Sequence, residues 1–185
     1  MKHLGLFITM LLVSLNSFAQ TIAEREDFET YSTITTTYGI DKSFFGYSTA
    51  VALSMLTNKT TDERVFQLFY YFETSGKTLC QKGSKLIIKT FQGSIITLEQ
   101  ILADDRVRSY RERVGSVEGN VYSLRGHYYI DEDDIKKLID EGIQLIRVET
   151  LKGLIDYTYK TDILGKLLNT EYDLLFEKQD FGSDF

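Results

Sequence analysis

Four arginines, Arg106, Arg108, Arg111 and Arg113, fall within eight positions of one another, with Tyr110 among them. A guanidinium forks onto carboxylate or phosphate oxygens and stacks on aromatic rings, so such a run can bind an anionic glycan or an acidic protein. The same residues can equally form a solvated segment that balances Asp104, Asp105 and Glu112. Tyrosines supply a second route to recognition. Tyr128, Tyr129, Tyr157 and Tyr159 lie in strand-like runs, where alternation must turn some rings outward, and rings on a sheet face can hold carbohydrate or protein. Packing inside a core is the competing reading. The candidate partner-binding residues are therefore Arg106, Arg108, Tyr110, Arg111, Arg113, Tyr128 and Tyr129.

Reactive constellations are sparse. The chain has two histidines and one cysteine. His3 precedes an expected cleavage site, which leaves His127 as the imidazole of the mature chain and argues against a multi-histidine zinc site. Cys80 sits in Thr-Leu-Cys-Gln-Lys, where nothing marks an activated thiol, so it reads as a small buried apolar residue. The run Asp131-Glu132-Asp133-Asp134 lacks the alternating ligands and central glycine of a calcium loop and suits the first turn of a helix. The residues thus assign no catalytic group, metal or cofactor and lean away from an enzyme. The enzymatic alternative is a hydrolase working through scattered carboxylates; a secreted inhibitor or immunity protein is a third reading.

The elements that must position these residues begin after a leader. Lys2 and His3 precede an apolar run from Leu4 to Leu15, and Ser17 and Ala19 occupy the −3 and −1 positions of a cleavage site. That is the pattern of a secretory signal peptide over residues 1–19. Gln20 rather than a cysteine follows, which disfavours a lipid anchor, and no later run is long enough to span a bilayer. The expected product is an exported protein, periplasmic or extracellular, with one domain over residues 20–185. Losing Lys2 takes the formal net charge from −6 to −7, a balance that argues against nucleic-acid binding.

Phe and Tyr number twelve each, while Pro and Trp are absent, a usage that suits strands. Residues 28–38 read as one extended strand. Residues 48–56 and 64–73 read as the arms of a long hairpin, the second apolar on both faces and hence central. Ser84–Phe91 and Ser94–Gln100 flank Gln92-Gly93 as a compact hairpin. Residues 104–120 fit a short helix, a twisted polar strand or a loop. Tyr122–Tyr129, a helix opening at Asp131 and closing at Gly142, and Ile143–Val148 form a strand–helix–strand unit. Its stripe of Ile135, Leu138 and Ile139 faces inward. Connections so short admit a right-handed crossover between parallel strands. Residues 154–160 add a strand and 162–178 a closing helix.

The leader ending Ser17-Phe18-Ala19-Gln20, the hairpin from Gly83 to Leu98 and the run from Tyr129 to Glu149 resemble those of small secreted, uncharacterised proteins of Bacteroidetes-type bacteria. The resemblance implies an exported bacterial α+β protein and supplies no catalytic residue. The expected fold is α+β: a predominantly antiparallel sheet, mixed if the crossover forms, with two helices packed on one face. The expected role is a non-enzymatic binding or envelope-associated module for a protein or glycan partner.

Overall fold

A computed structural model describes residues 20–41, 48–103, 108–114 and 117–177. The expected leader and the acidic tail from Gln179 lie outside them. In chain order the elements are β1 (Ile22–Asp27), β2 (Tyr31–Thr36), β3 (Gly39–Asp41), β4 (Thr49–Asn58), β5 (Arg64–Thr74), β6 (Lys85–Thr90) and β7 (Ile95–Glu99). Then come β8 (Arg108–Val114), β9 (Val117–Ile130), α1 (Glu132–Glu141), β10 (Ile143–Thr150), β11 (Gly153–Thr158) and α2 (Leu164–Glu177). The class is β-rich α+β and mostly antiparallel.

The strands form two sheets. The larger runs β1-β2-β4-β5-β9-β8, with β3 pairing β4 beyond the end of β2, and the smaller runs β11-β10-β6-β7. The expected long hairpin is β4–β5, in register from Thr49↔Phe72 to Thr57↔Arg64. The compact hairpin is β6–β7, and Gly93, with φ 95°, makes its turn where a side chain would be strained.

Two expectations need correcting, and one choice left open is decided for part of its range. First, β9 and β10 are not a parallel pair: β9 lies between β5 and β8, whereas β10 lies antiparallel between β6 and β11 in the other sheet. The short links around α1 carry the chain from one sheet to the next. Second, residues 28–38 are not one strand, since Phe28 N–H donates to the Tyr31 carbonyl at 2.9 Å and turns the chain between β1 and β2. Third, the helical option within 104–120 gives way to β8, whose polar sequence is held by backbone pairing with β9.

One core joins the sheets. The inner face of the large sheet presents Phe66, Leu68, Tyr70 and Phe72 from β5, Leu53 and Met55 from β4, and Leu124, Tyr128 and Ile130 from β9. These share a cluster with Leu86 and Ile88 of β6, Ile146 and Val148 of β10, and Ile135, Leu138, Leu164, Leu168 and Leu175 of the helices. Gly126 is required within β9 because a side chain there would overlap the ring of Tyr128.

The ends of α1 differ in detail from the sequence pattern. Asp131 occupies the N-cap position with extended backbone, yet its side chain makes no capping hydrogen bond. Gly142 has φ 67° and ψ 157°, a conformation essentially confined to glycine, rather than the left-handed helical one. The cap that does form belongs to Asp162. Its Oδ1 accepts from Gly165 N–H at 2.9 Å, capping α2, and from Ile143 N–H at 3.0 Å, which ties α2 to the start of β10. Asp162→Ala should therefore lower stability by about 1–2 kcal/mol, read as a shifted urea midpoint; an unchanged midpoint would show that this tie carries no stability.

Candidate functional site

Directly paired residues of an antiparallel sheet share a face, so the outer face of the large sheet can be built from its register. On β5 it carries Val65, Gln67, Phe69, Tyr71 and Glu73. Opposite them on β9 stand Tyr129 beside Gln67, His127 beside Phe69, Arg125 beside Tyr71 and Ser123 beside Glu73. The row continues to Arg108, which pairs Ser123 on β8. On the other side β4 contributes Ala52 opposite Phe69 and Ala50 opposite Tyr71, both small and buried.

The rings are in contact. His127 meets Phe69 edge-on at 4.8 Å, Tyr38 meets Tyr71 at 6.4 Å, and the Arg125 guanidinium lies 5.4 Å from the centre of the Tyr38 ring. Below them Glu73, itself buried, accepts from the Tyr71 hydroxyl at 2.8 Å and from Ser48 N–H at 2.7 Å. Burial, with the Glu73 contact, pushes the Tyr71 hydroxyl up to about 12. It therefore stays protonated and donates to the carboxylate, fixing its ring. Tyr129, 55% exposed, stands beyond this fixed row as the most open aromatic of the face among the described residues.

The structure divides the sequence candidates. Arg108 is exposed at the start of β8, and Tyr129 is exposed on β9. Tyr128 points the other way and is fully buried, so the expectation of a partner-facing ring fails for it by simple alternation. Tyr110, Arg111 and Arg113 pair by backbone with Val121, Asn120 and Glu118; their side chains, like Arg106 as a whole, lie outside the described residues. Tyr159 is buried against Thr49, and half-buried Tyr157 donates to the Glu73 carbonyl at 2.6 Å. Cys80 is buried. Among the described residues no group of three or more His, Cys, Asp or Glu is placed to hold a metal.

Phe69, Tyr71, Arg125 and His127 were missed as site residues. Their signal was present in β9, where Ser123, Arg125, His127 and Tyr129 alternate with apolar or small residues at a period of two. A concavity lies on the smaller sheet, lined by Lys85, Ile87, Arg147, Glu149 and Leu154. At about 130 Å³ it falls short of the roughly 300 Å³ of a small-molecule pocket. Its Arg147 is also engaged by Asp156, through two bonds of 2.7 Å.

One perturbed acid sits elsewhere. Glu171 of α2 is 0% exposed, and its Oε1 accepts from the Gln20 amide at 2.6 Å. Burial pushes its carboxyl from 4.5 up to about 7, against the opposing effects of Thr36, Gln20 and the Gly39 N–H, none of them charged. Folding thus favours the protonated acid. Below pH 4.5 both states hold the proton and no penalty exists; as pH rises to about 7 the unfolded chain ionises first and stability falls; above that the penalty levels off. The loss should be on the order of 3 kcal/mol, and Glu171→Gln should remove it. Urea midpoints followed from about pH 5 to about pH 8 check this, and equal pH slopes in the two proteins would rule out Glu171 as the cause.

No family model matches the chain, and no curated protein or solved structure matches it either.

Proposed function

We propose that the protein is an exported, non-enzymatic binding module and that the outer face of the large sheet holds a glycan. The observation that carries this reading is the row Tyr129, His127–Phe69 and Arg125–Tyr38–Tyr71. There, aromatic faces alternate with hydrogen-bonding and cationic groups across neighbouring strands. Sugar rings offer apolar C–H faces to stack on aromatics and hydroxyls to meet such polar groups, and an anionic sugar adds a charge for Arg125 and Arg108. A protein partner is the competing occupant of the same face.

In this reading the two helices cover the inner side together, leaving the outer side open. Support comes from α2, which packs on β2, β3 and β4 and against α1. Export without a lipid anchor rests on the Leu4–Leu15 run, Ala19 and the non-cysteine residue Gln20. No helix among the described residues is long and apolar enough to cross a membrane. The hydrolase alternative asks for a cleft with paired carboxylates, one of raised pKa. The carboxyl raised to about 7 is Glu171, which is fully buried and shifted by uncharged neighbours, so it offers no such pair.

A glycan array probed with the processed protein, alongside a pull-down from the periplasm, tests the reading. Binding is expected to weaken about thirtyfold in Tyr129→Ala, the loss of roughly 2 kcal/mol that an aromatic anchor carries. It should weaken less in Arg108→Ala and stay unchanged in Ile95→Ala on the smaller sheet. Silence on both the array and the pull-down would sink the binding reading; a protein captured through Tyr129 with no glycan bound would replace the glycan by a protein partner.

A further inference from the structure

Gln20 is the residue that cleavage after Ala19 would leave at the start of the chain. Its side chain does not lie in solvent. The amide nitrogen donates to Glu171 Oε1 at 2.6 Å and to the Leu167 carbonyl at 3.2 Å, so both of its hydrogens are committed to α2. The opening it enters exists because position 39 is glycine: a side chain there would overlap the Gln20 amide nitrogen and crowd Leu167. The next residue is fixed as well, with Thr21 N–H donating to Thr37 Oγ at 3.0 Å and Thr37 N–H donating to the Thr21 carbonyl at 2.8 Å. Glu171 is 0% exposed, and the amide of Gln20 joins Thr36 and the Gly39 N–H among the uncharged groups that face this buried acid.

This geometry bears on a reaction that an N-terminal glutamine undergoes on its own. The α-amine attacks Cδ; the N–Cδ bond forms, the Cδ–Nε2 bond breaks, and Nε2 takes the amine's proton and leaves as ammonia, giving pyroglutamate. Ring closure needs the side chain folded back until amine and Cδ approach within about 3–3.5 Å. A side chain anchored to α2 beside a backbone anchored at Thr21 must first leave its slot, and the lactam that results no longer has the NH2 group that bridges Glu171 and Leu167.

We infer that the slot between α2 and β3 is an end-protection site, which captures the amide of Gln20 and withholds the processed N-terminus from cyclisation. The inference rests on the cleavage reading given above. The slot also ties the start of the chain, and with it the edge strand β1, to the helix that covers the core.

The test is to express the precursor with its leader, purify the processed protein from the periplasm, and follow its intact mass with time, folded and in urea. A chain that begins at Gln20 should keep its ammonia while folded and lose it at least about tenfold faster in urea. Gly39→Ala, which fills the slot, should cyclise when folded at close to the urea rate, its fold checked by circular dichroism. Should that variant not fold, Glu171→Ala, which removes one of the two acceptors, should cyclise faster than the wild type. Glu171→Gln keeps an acceptor oxygen and should remain protected. Equal rates for the folded and unfolded wild type would overturn the proposal. So would slower cyclisation in Glu171→Gln than in the wild type, because the acid would then be assisting the departure of ammonia. A first residue other than Gln20 would overturn the cleavage reading and the proposal with it, whereas a Gln20 start with fast cyclisation would overturn the proposal alone.

Discussion

The inner face of β5 must be kept dry, and the rest of the molecule is arranged around that requirement. Phe66, Leu68, Tyr70 and Phe72 follow one another on this face, all of them buried. Neither neighbouring strand can cover them, because β4 and β9 only extend the same surface sideways. Cover comes from the smaller sheet and the helices, whose buried residues join the same cluster. At about 25 cal/mol per Å² of apolar surface removed from water, this interlayer contact is the dominant favourable contribution to folding. It also explains why β9 and β10 part company: a parallel pairing would have widened one sheet and left its apolar face open.

Closing two sheets over one another traps polar groups, and tyrosine does much of the work of satisfying them. The hydroxyl of Tyr159 meets Thr49 Oγ at 2.9 Å and Tyr70 at 3.5 Å, linking the end of the smaller sheet to the centre of the larger one. Burial first, and then Tyr159, holds the Tyr70 hydroxyl well above its ordinary value, so it remains neutral. A neutral hydroxyl both donates and accepts, which lets three such groups serve each other. Tyr157 makes a comparable link to the Glu73 carbonyl. A second join runs through Gln100, which bridges to Tyr128 and accepts from His127 N–H at 3.2 Å.

Local sequence carried the elements further than it carried their partners. Strands β4 to β7, β10 and β11 and both helices were legible because each has an apolar face with its own period, as in Leu86, Ile88 and Thr90 or Ile135 and Leu138. β1 was not, since Ile-Ala-Glu-Arg-Glu-Asp is exposed along most of its length and depends on backbone pairing with β2. β8 is polar in sequence and likewise depends on backbone pairing, with β9. Sheet membership was hidden for a different reason: a short link beside a helix fits either a crossover or a change of sheet, and distant burial decides between them. For the candidate site, alternation required some of the strand tyrosines to turn outward but did not say that Tyr129 rather than Tyr128 would do so. The neighbours that complete it come from β5 and the residues after β2, and the register that joins them was not visible locally.

The two faces of β5 now pose different physical problems. Phe66 to Phe72 gain their stability by leaving water, and any residue of similar shape and polarity would serve that end. Phe69 and Tyr71 on the other face are only half covered, yet they are held more tightly than half-buried rings need to be: Tyr71 by a buried carboxylate and Tyr38, Phe69 by His127. Burying Glu73 carries a desolvation cost that an apolar residue would not, and its side chain accepts from Tyr71 and Ser48. That cost fixes a ring at the surface, and a ring already fixed loses less freedom when a ligand stacks on it. Rigidity on the outer face is thus intelligible as preorganisation for a partner, where rigidity on the inner face needs no partner at all.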